Sequence, residues 1–334
     1  MFDKTKPMTL GDIFSSTFDL IKVTFTRNLI VGAVILIPVG IIMAFGIQYF
    51  FSTFFDLIKN KEEFSYGDFN AEYILNIMAS MTTYFLSILL FALGTNAAKI
   101  GITRIGYRAM ENEKITINQA FNRIFSVVFF RTIGMSLLQG LAYAVVIFVA
   151  VIIMVIAVAT DFILLKIFGV FSILAAILVI VYLNTSWHFT FVAIAGADKK
   201  VFESFSKSSL LVTNNWWRVF GIVLLVSIIV QFAISLISTP VSFALMWDFL
   251  SKYFTAAANG TLNNLDPESM FNMMKSLGLS IGLITVFSSL VELLIIPLFD
   301  VVFYFDLRIR KNDFYNTPAI ENPAQNEGPA LEQQ

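Results

Sequence analysis

The polar side chains best suited to chemistry in this chain lie inside long apolar stretches. Glu292 and Asp300 flank Pro297 in one stretch, and Asn184 and His188 lie at the end of another. A charged residue at the centre of a bilayer costs about 2.5–3.5 kcal/mol on insertion scales, so each of these groups needs a reason to be there.

Two interpretations of these four residues are open. In the first, Glu292, Asp300, Asn184 and His188 form a polar path for protons or a substrate. In the second, a neutral Glu292 is hydrogen-bonded between helices as a packing contact, and Asp300 pairs with a basic residue at the edge of the membrane.

No residue pattern predicts catalysis. The chain has one histidine and no cysteine, whereas a zinc site needs three or four ligands. Phosphate loops, dinucleotide fingerprints and nucleophile elbows are not found in the sequence. We therefore predict no catalytic residue, no metal site and no cofactor, and we expect that the protein is not an enzyme.

The elements that carry these residues are predicted to be membrane-spanning helices. The chain is 57% hydrophobic and 13% charged, whereas soluble domains are about 45–50% apolar and about 25% charged. A bilayer core needs about 20 apolar residues per helix. Six stretches qualify: 29–51, 73–98, 133–159, 167–195, 220–246 and 277–304. The prediction is an all-α membrane protein with six transmembrane helices in three hairpins.

The predicted spans define a single integral-membrane domain over residues 1–315. Residues 316–334 are rich in Pro, Asn, Gln and Glu, with too few apolar side chains to form a core. We expect a disordered tail there, on the cytoplasmic side.

The distribution of basic residues predicts the orientation. Seventeen of the 22 Lys and Arg residues fall before the first span, between spans 2 and 3, between spans 4 and 5, or after span 6. Because basic loops stay in the cytoplasm, both termini are expected to be cytoplasmic. The lipid bilayer is the expected partner; the net charge of −1 gives no reason to expect nucleic acid.

Three segments on this basic side show helical amphipathic spacing. One carries Phe14 and Phe18 before span 1, and the others precede spans 3 and 5. Each is expected to lie as an amphipathic helix in the headgroup layer. A shift of 107 residues places Phe14 on Phe121, and a shift of 191 places it on Phe205. Duplicated units and convergent design both account for the similarity.

Interfacial anchors are predicted at two of the membrane boundaries. Trp216, Trp217 and Arg218 lie where an aromatic belt and a positive charge are expected. Asp306 and Arg308 are expected to pair with each other, ending span 6 and docking it to the helices on the basic side.

Three sequence blocks together resemble a known family. They are Thr9-Leu-Gly-Asp12, the run from Phe205 to Gly221 with Trp217-Arg218, and Tyr304–Lys311 after Pro297. They resemble the family named for the membrane domain of glycerophosphoryl diester phosphodiesterase. The resemblance implies a bacterial cytoplasmic-membrane domain. Active members of the family carry a separate catalytic barrel, and this chain has no soluble region long enough for one.

The leading hypothesis is a non-enzymatic membrane protein with a structural, scaffolding or accessory role, acting with a membrane-protein partner or as a homo-oligomer. The alternative is a transporter or lipid-handling protein that uses the polar residues of spans 4 and 6. An intramembrane enzyme is the least favoured class.

Overall fold

The computed structural model of the chain describes residues 6–59, 71–160, 162–260 and 267–311. This part is helical, without strands. Its helices are α1 Leu10–Lys59, α2 Ala71–Met110, α3 Ile117–Ile124, α4 Val127–Ala159, α5 Ile163–Ser186, α6 Thr190–Ala195, α7 Val201–Val212, α8 Trp216–Leu245, α9 Trp247–Ala258 and α10 Pro267–Arg310. The predicted tail lies outside the described residues.

Six long helical stretches in the described part are apolar enough to cross a membrane: 10–56, 74–110, 127–159, 163–195, 216–245 and 277–310. Four of them contain the whole of the matching predicted span, and the second and fifth lack one residue of it, at positions 73 and 246. The helices extend beyond the apolar stretches because a helix continues into polar sequence wherever neighbouring helices still pack against it.

The amphipathic segment before span 1 is not a separate helix, so this part of the prediction was wrong. It forms the first turns of α1, which runs without a break from Leu10 to Lys59. Thr9 and Asp12 cap it: the backbone amide of Thr9 donates to the Asp12 carboxylate at 2.8 Å, and the amide of Asp12 donates to the Thr9 hydroxyl at 3.3 Å.

The fourth predicted span divides into two helices. α5 ends at Ser186, residues 187–189 form a turn, and α6 follows from Thr190 to Ala195. Every residue of α6 is buried. The loop expected after span 5 contains the helix α9, which ends at Ala258 and has Asn259 as its C-cap. Gly260 then takes a positive φ of 63°, a conformation that glycine adopts without steric cost.

The helices α1 and α10 form the central antiparallel pair. Near one end, the backbone amide of Met8 donates to the Asp306 carboxylate at 2.7 Å; near the other, the backbone amide of Leu279 donates to the side-chain carbonyl of Gln48 at 2.8 Å. Between these points α10 lies close to α1 at Gly282, where an added Cβ would come within 2.4 Å of the Cα of Ala44.

One end of the molecule, here called the basic end, holds most of the core. It comprises the first turns of α1, the last turns of α2, the helices α3, α6 and α7, the start of α8 and the last turns of α10. Residues 298–307 of α10 are all buried there, including Phe303, Tyr304 and Phe305. Continuous burial of a helix on all sides requires neighbours on all sides, and here α1, α2, α6, α7 and α8 supply them.

The helices α4 and α5 are packed mainly against each other and are here called the α4–α5 arm. In the most apolar 18-residue window of each, 11% of the residues are buried, against 44% in α1. The arm joins the rest of the protein chiefly near the basic end, where the Asn96 amide of α2 donates to the Thr132 hydroxyl of α4 at 2.9 Å.

Candidate functional site

A buried carboxylate, Asp306, is the centre of the first polar cluster at the basic end. It is 0% exposed and accepts hydrogen bonds from the Met8 backbone at 2.7 Å, from Arg218 at 3.1 Å and from Arg310 at 2.9 Å. Both guanidinium groups also donate to the Met8 carbonyl. The cluster ties the segment before α1 to the start of α8 and the end of α10.

The partners of Asp306 differ from the expected Arg308. Residues two apart on a helix point to different faces, whereas residues four apart share one, so Asp306 meets Arg310. The Arg308 guanidinium donates to the Tyr107 hydroxyl of α2 at 3.0 Å and lies 5.7 Å from the centre of the Phe305 ring.

A second cluster surrounds Asp198 in the loop between α6 and α7. Its carboxylate forms ion pairs with Arg104 of α2, at 3.0 Å, and with Arg123 of α3, and its backbone carbonyl accepts from Arg131 of α4 at 3.2 Å. Asp198 has a positive φ of 62°, which Asp tolerates better than most residues. One loop residue therefore fixes three helices.

Burial and positive neighbours lower the pKa of one arginine of this second cluster, Arg123. Arg123 lies on α3, outside the six apolar helices. Burial, followed by the charges of Arg104, Arg131 and Arg108, lowers the pKa of its guanidinium. Since arginine keeps its proton in proteins, Arg104, Arg123 and Arg131 together carry more positive charge than the single Asp198 carboxylate neutralises.

His188 and Asp300, two of the predicted site residues, are brought together. The Nε2 atom of His188, in the turn after α5, lies 2.9 Å from the Asp300 carboxylate on α10. Asp300 is buried, and the His188 ring lies nearly perpendicular to the Phe189 ring, with the centroids 4.9 Å apart. The pair links the end of the α4–α5 arm to α10.

Asn184 lies on a separate polar chain along the arm. The Gln139 amide donates to the Tyr143 hydroxyl at 2.6 Å, and that hydroxyl donates to the Asn184 carbonyl at 3.3 Å. Tyr143 also stacks on Trp187. These contacts join α4 to α5.

Glu292 is not brought to the other candidate residues. It lies eight residues before Asp300 on α10, about 12 Å along the helix axis. Its side chain is exposed. Within the described ranges Glu292 has no hydrogen-bond or ion-pair partner, so the structure does not assemble the four residues into one path.

The predicted anchors occupy the start of α8. Trp216 stacks on Phe220 and on Tyr182 of α5, with ring centroids 5.3 and 5.9 Å apart. Trp217 points outward and is 78% exposed. Arg218 belongs to the Asp306 cluster. Trp216 and Arg218 thus make internal contacts, and Trp217 is free to meet a bilayer interface.

An apolar cleft runs between the two helices of the arm. Its volume is about 600 Å³, and it is open to the outside. Val149 and Ile153 of α4 and Phe168 and Phe171 of α5 line it, with Ser172 as its polar residue. The cleft is suited to an apolar occupant such as an acyl chain or side chains of another helix.

Sequence reasoning missed the Asp198 cluster and the role of Arg310. Asp198 is 94 residues from Arg104 and 67 from Arg131, and no local pattern connects such distant positions. A usable signal existed for Arg310: it follows Asp306 at the i, i+4 spacing that favours ion pairs on one helix face.

Comparisons with known proteins found no matching family model, no matching curated protein and no matching solved structure.

Proposed function

We propose that this chain is a multi-pass protein of a bacterial cytoplasmic membrane with a non-catalytic, structural or accessory role. The proposed orientation places the basic end and both termini in the cytoplasm. The 17 basic residues on that side support it, because positively charged segments are retained there during insertion.

The observation that supports the accessory role is a contrast between two regions. The polar groups of the basic end are paired within the chain, whereas the apolar surface of the α4–α5 arm is uncovered. At the basic end, Asp306, Asp198 and Asp300 are engaged by Arg or His side chains of the same chain. The α4–α5 arm, in contrast, offers an open cleft and exposed apolar faces. A protein with an accessory role needs such a surface and needs no free reactive group.

The membrane arrangement proposed for the chain has three hairpins, α1–α2, α4–α5 and α8–α10. In it, α3 and α7 lie at the headgroup level. Exposed aromatic side chains on or beside these short helices support this placement, since Phe125 and Phe202 are among the most exposed apolar residues of the chain.

A common origin for the three units is supported by equivalent packing. Phe14, Phe121 and Phe205, which the shifts of 107 and 191 residues superimpose, all lie partly buried against the same core. Asp12 and Glu203, also related by the shift of 191, both lie in the first turn of their helices, where a negative charge stabilises the helix.

The experiment is site-specific photo-crosslinking in native membranes. A photoreactive residue replaces Phe171, which faces the cleft, and in a matched variant it replaces Phe148, which is exposed on α4 but does not line the cleft. The accessory role predicts one discrete protein adduct from position 171 and lipid adducts from 148. Protein adducts that do not differ between the two positions would contradict it.

Lipid handling is the second candidate, and the openness of the arm cleft to the side is the observation that favours it. Its apolar lining matches an acyl chain. In the same experiment, this function predicts a lipid adduct at position 171 that is enriched in one lipid class, whereas position 148 samples the bulk lipid composition.

A further inference from the structure

Two lines of polar side chains follow the exposed surfaces of α8 and α10 inside their apolar stretches. On α8, Ser227, Gln231, Ser235 and Thr239 recur every four residues and are exposed. On α10, Thr285 and Glu292 are exposed and Ser288 and Ser289 are half-buried. We call these eight residues the polar seam.

The two lines lie at the same depth. Arg218 bonds Asp306 at the basic end, and the Ser280 hydroxyl donates to the Leu245 carbonyl at 3.0 Å at the opposite end. These bonds fix α8 and α10 as an antiparallel pair. Gln231 lies 13 residues after Arg218, and Glu292 lies 14 residues before Asp306, so both are about 20 Å from that cluster.

The two lines also lie on the same side of the helix pair. Val230 belongs to the buried face of α8, and Gln231 is the next residue. On α10, Val291 shares the face of Ser280, which bonds α8, and Glu292 is the next residue. The chains of α8 and α10 run in opposite directions, so when both helices are viewed from one end, one turns clockwise along its chain and the other anticlockwise. A step of one residue from the contact face therefore places Gln231 and Glu292 on the same side of the helix pair.

The centre of the seam has unused hydrogen-bonding capacity. Among the described residues, the side chains of Gln231 and Glu292 have no partner, although each lies about 20 Å into an apolar helix pair. Ionisable side chains at such depth almost always face another polar group, a protein interior or a water-filled cavity. The surface of a single copy leaves Glu292 facing hydrocarbon.

We propose that a second copy of this chain covers the polar seam. A two-fold axis along the membrane normal keeps every residue at its own depth and places α8 of one copy against α10 of the other. Gln231 then faces Glu292 of the second copy, and Glu292 faces its Gln231. The seam is therefore self-complementary, as a two-fold interface requires.

The chemistry of the seam favours this occupant. A glutamine side chain has an amide N–H that donates and a carbonyl that accepts, so it matches a carboxyl group in either ionisation state. The serines beside these residues are small enough for close approach of helices in a bilayer. The hydroxyl of Ser235 donates to the backbone carbonyl of Gln231, which leaves the lone pairs of the hydroxyl available to a neighbour.

The test uses the absence of native cysteines. Chains carrying Gln231→Cys and chains carrying Glu292→Cys, with tags of different size, are expressed together and oxidised in the membrane. The proposal predicts a disulfide between the two kinds of chain. The matched control replaces Gln231→Cys with Phe232→Cys, which lies at the same depth and is exposed but points about 100° away. It is expected to give at least tenfold less product.

Three outcomes overturn the proposal: no disulfide from the Gln231→Cys pair, an equal yield from the Phe232→Cys control, or crosslinking of Gln231→Cys to a different protein. The last outcome would leave the proposed accessory role intact, since that role depends on the arm and not on the seam.

A second measurement avoids dependence on trapping. Energy transfer between chains labelled at Lys114→Cys is followed as the lipid-to-protein ratio rises in vesicles. Glu292→Leu removes two symmetry-related hydrogen bonds, each equivalent to about a threefold change in association, so about tenfold weaker dimerisation is expected. Glu292→Gln should stay within about twofold of the native chain. Unchanged association of Glu292→Leu would contradict the proposal.

Discussion

At the basic end, the buried Asp306 and the half-buried Asp198 pair with arginines from distant segments, and aromatic residues of α10 are enclosed on every side. In the α4–α5 arm, two helices contact each other and leave most of their apolar surface uncovered. The first region resembles the interior of a soluble protein, in which position is fixed by specific polar contacts. The second has the surface expected of helices whose neighbours are lipids or another protein.

The basic end and the α4–α5 arm differ in how firmly their helices are held. The Asp306 and Asp198 clusters hold the ends of α1, α2, α4, α8 and α10 in one arrangement, so the basic end can act as a rigid support. The arm is attached to this support near one end. Substitutions should therefore have large effects on stability at the basic end and small effects on the arm.

The largest contrast is expected between two phenylalanines. Phe303→Ala removes a fully buried ring and should lower the free energy of unfolding by about 3–5 kcal/mol. Phe171→Ala removes a ring that is 62% exposed and should cost less than about 0.5 kcal/mol. Thermal unfolding in detergent measures both. Equal losses would mean that the arm is packed as firmly as the basic end.

Neutralising the Asp306 carboxylate should lower the free energy of unfolding by a somewhat smaller amount. Asp306→Asn leaves Arg218 and Arg310 without their anion, and breaking a buried pair costs about 3–5 kcal/mol; the partial exposure of both arginines moves the expectation to the lower limit, about 3 kcal/mol. The control Asp19→Asn breaks an exposed pair with Lys22 and should change stability by about 0–1 kcal/mol.

Two glycines test helix contact in the two regions. Gly282→Ala places a methyl group against the Ala44 backbone of α1, and such overpacking costs about 1–3 kcal/mol. Gly140→Ala on α4 meets nothing within 4 Å and should stabilise its helix by about 0.5–1 kcal/mol. The test is therefore whether the two substitutions change the free energy of unfolding in opposite directions. A loss of stability in both variants would count against the open arm.

The smallest expected effect concerns the short helix α3. Its N-cap Thr116 and Gln119 form a reciprocal capping box. The backbone amide of Thr116 donates to the Gln119 side-chain carbonyl at 2.8 Å, and the backbone amide of Gln119 donates to the Thr116 hydroxyl at 3.3 Å. Thr116→Ala should cost about 1 kcal/mol, and Thr116→Ser should restore it. A neutral Thr116→Ala would show that packing alone holds α3.

The apolar helices could be predicted from the sequence, whereas the contacts that arrange them could not. A run of about 20 apolar residues is a local signal, and so are the capping residues Thr9 and Thr116. The continuation of α1 through Lys22, Arg27 and Asn28 was missed because those polar residues suggested a boundary. In the structure Arg27 reaches the Ile115 carbonyl at 3.1 Å, a partner that lies 88 residues away.

The candidate site shows the same limit. His188 and Asp300 are both sequence-predicted site residues, and they meet in the structure, whereas Glu292 faces a different, exposed side of α10. The helical spacing from Asp300 to Glu292, eight residues or about 80° of rotation, was available in the sequence. The position of α1 and α8 around α10 was not, and that position decides which face is exposed.

The proposed arrangement requires that the six apolar helices cross a bilayer with the basic end in the cytoplasm. Because the chain has no native cysteine, Lys114→Cys at the basic end and Asp56→Cys near the far end of α1 can each be labelled with a membrane-impermeant maleimide. Asp56→Cys should react in intact cells, and Lys114→Cys should react only in inverted vesicles. Labelling of Lys114→Cys in intact cells would contradict the proposed arrangement.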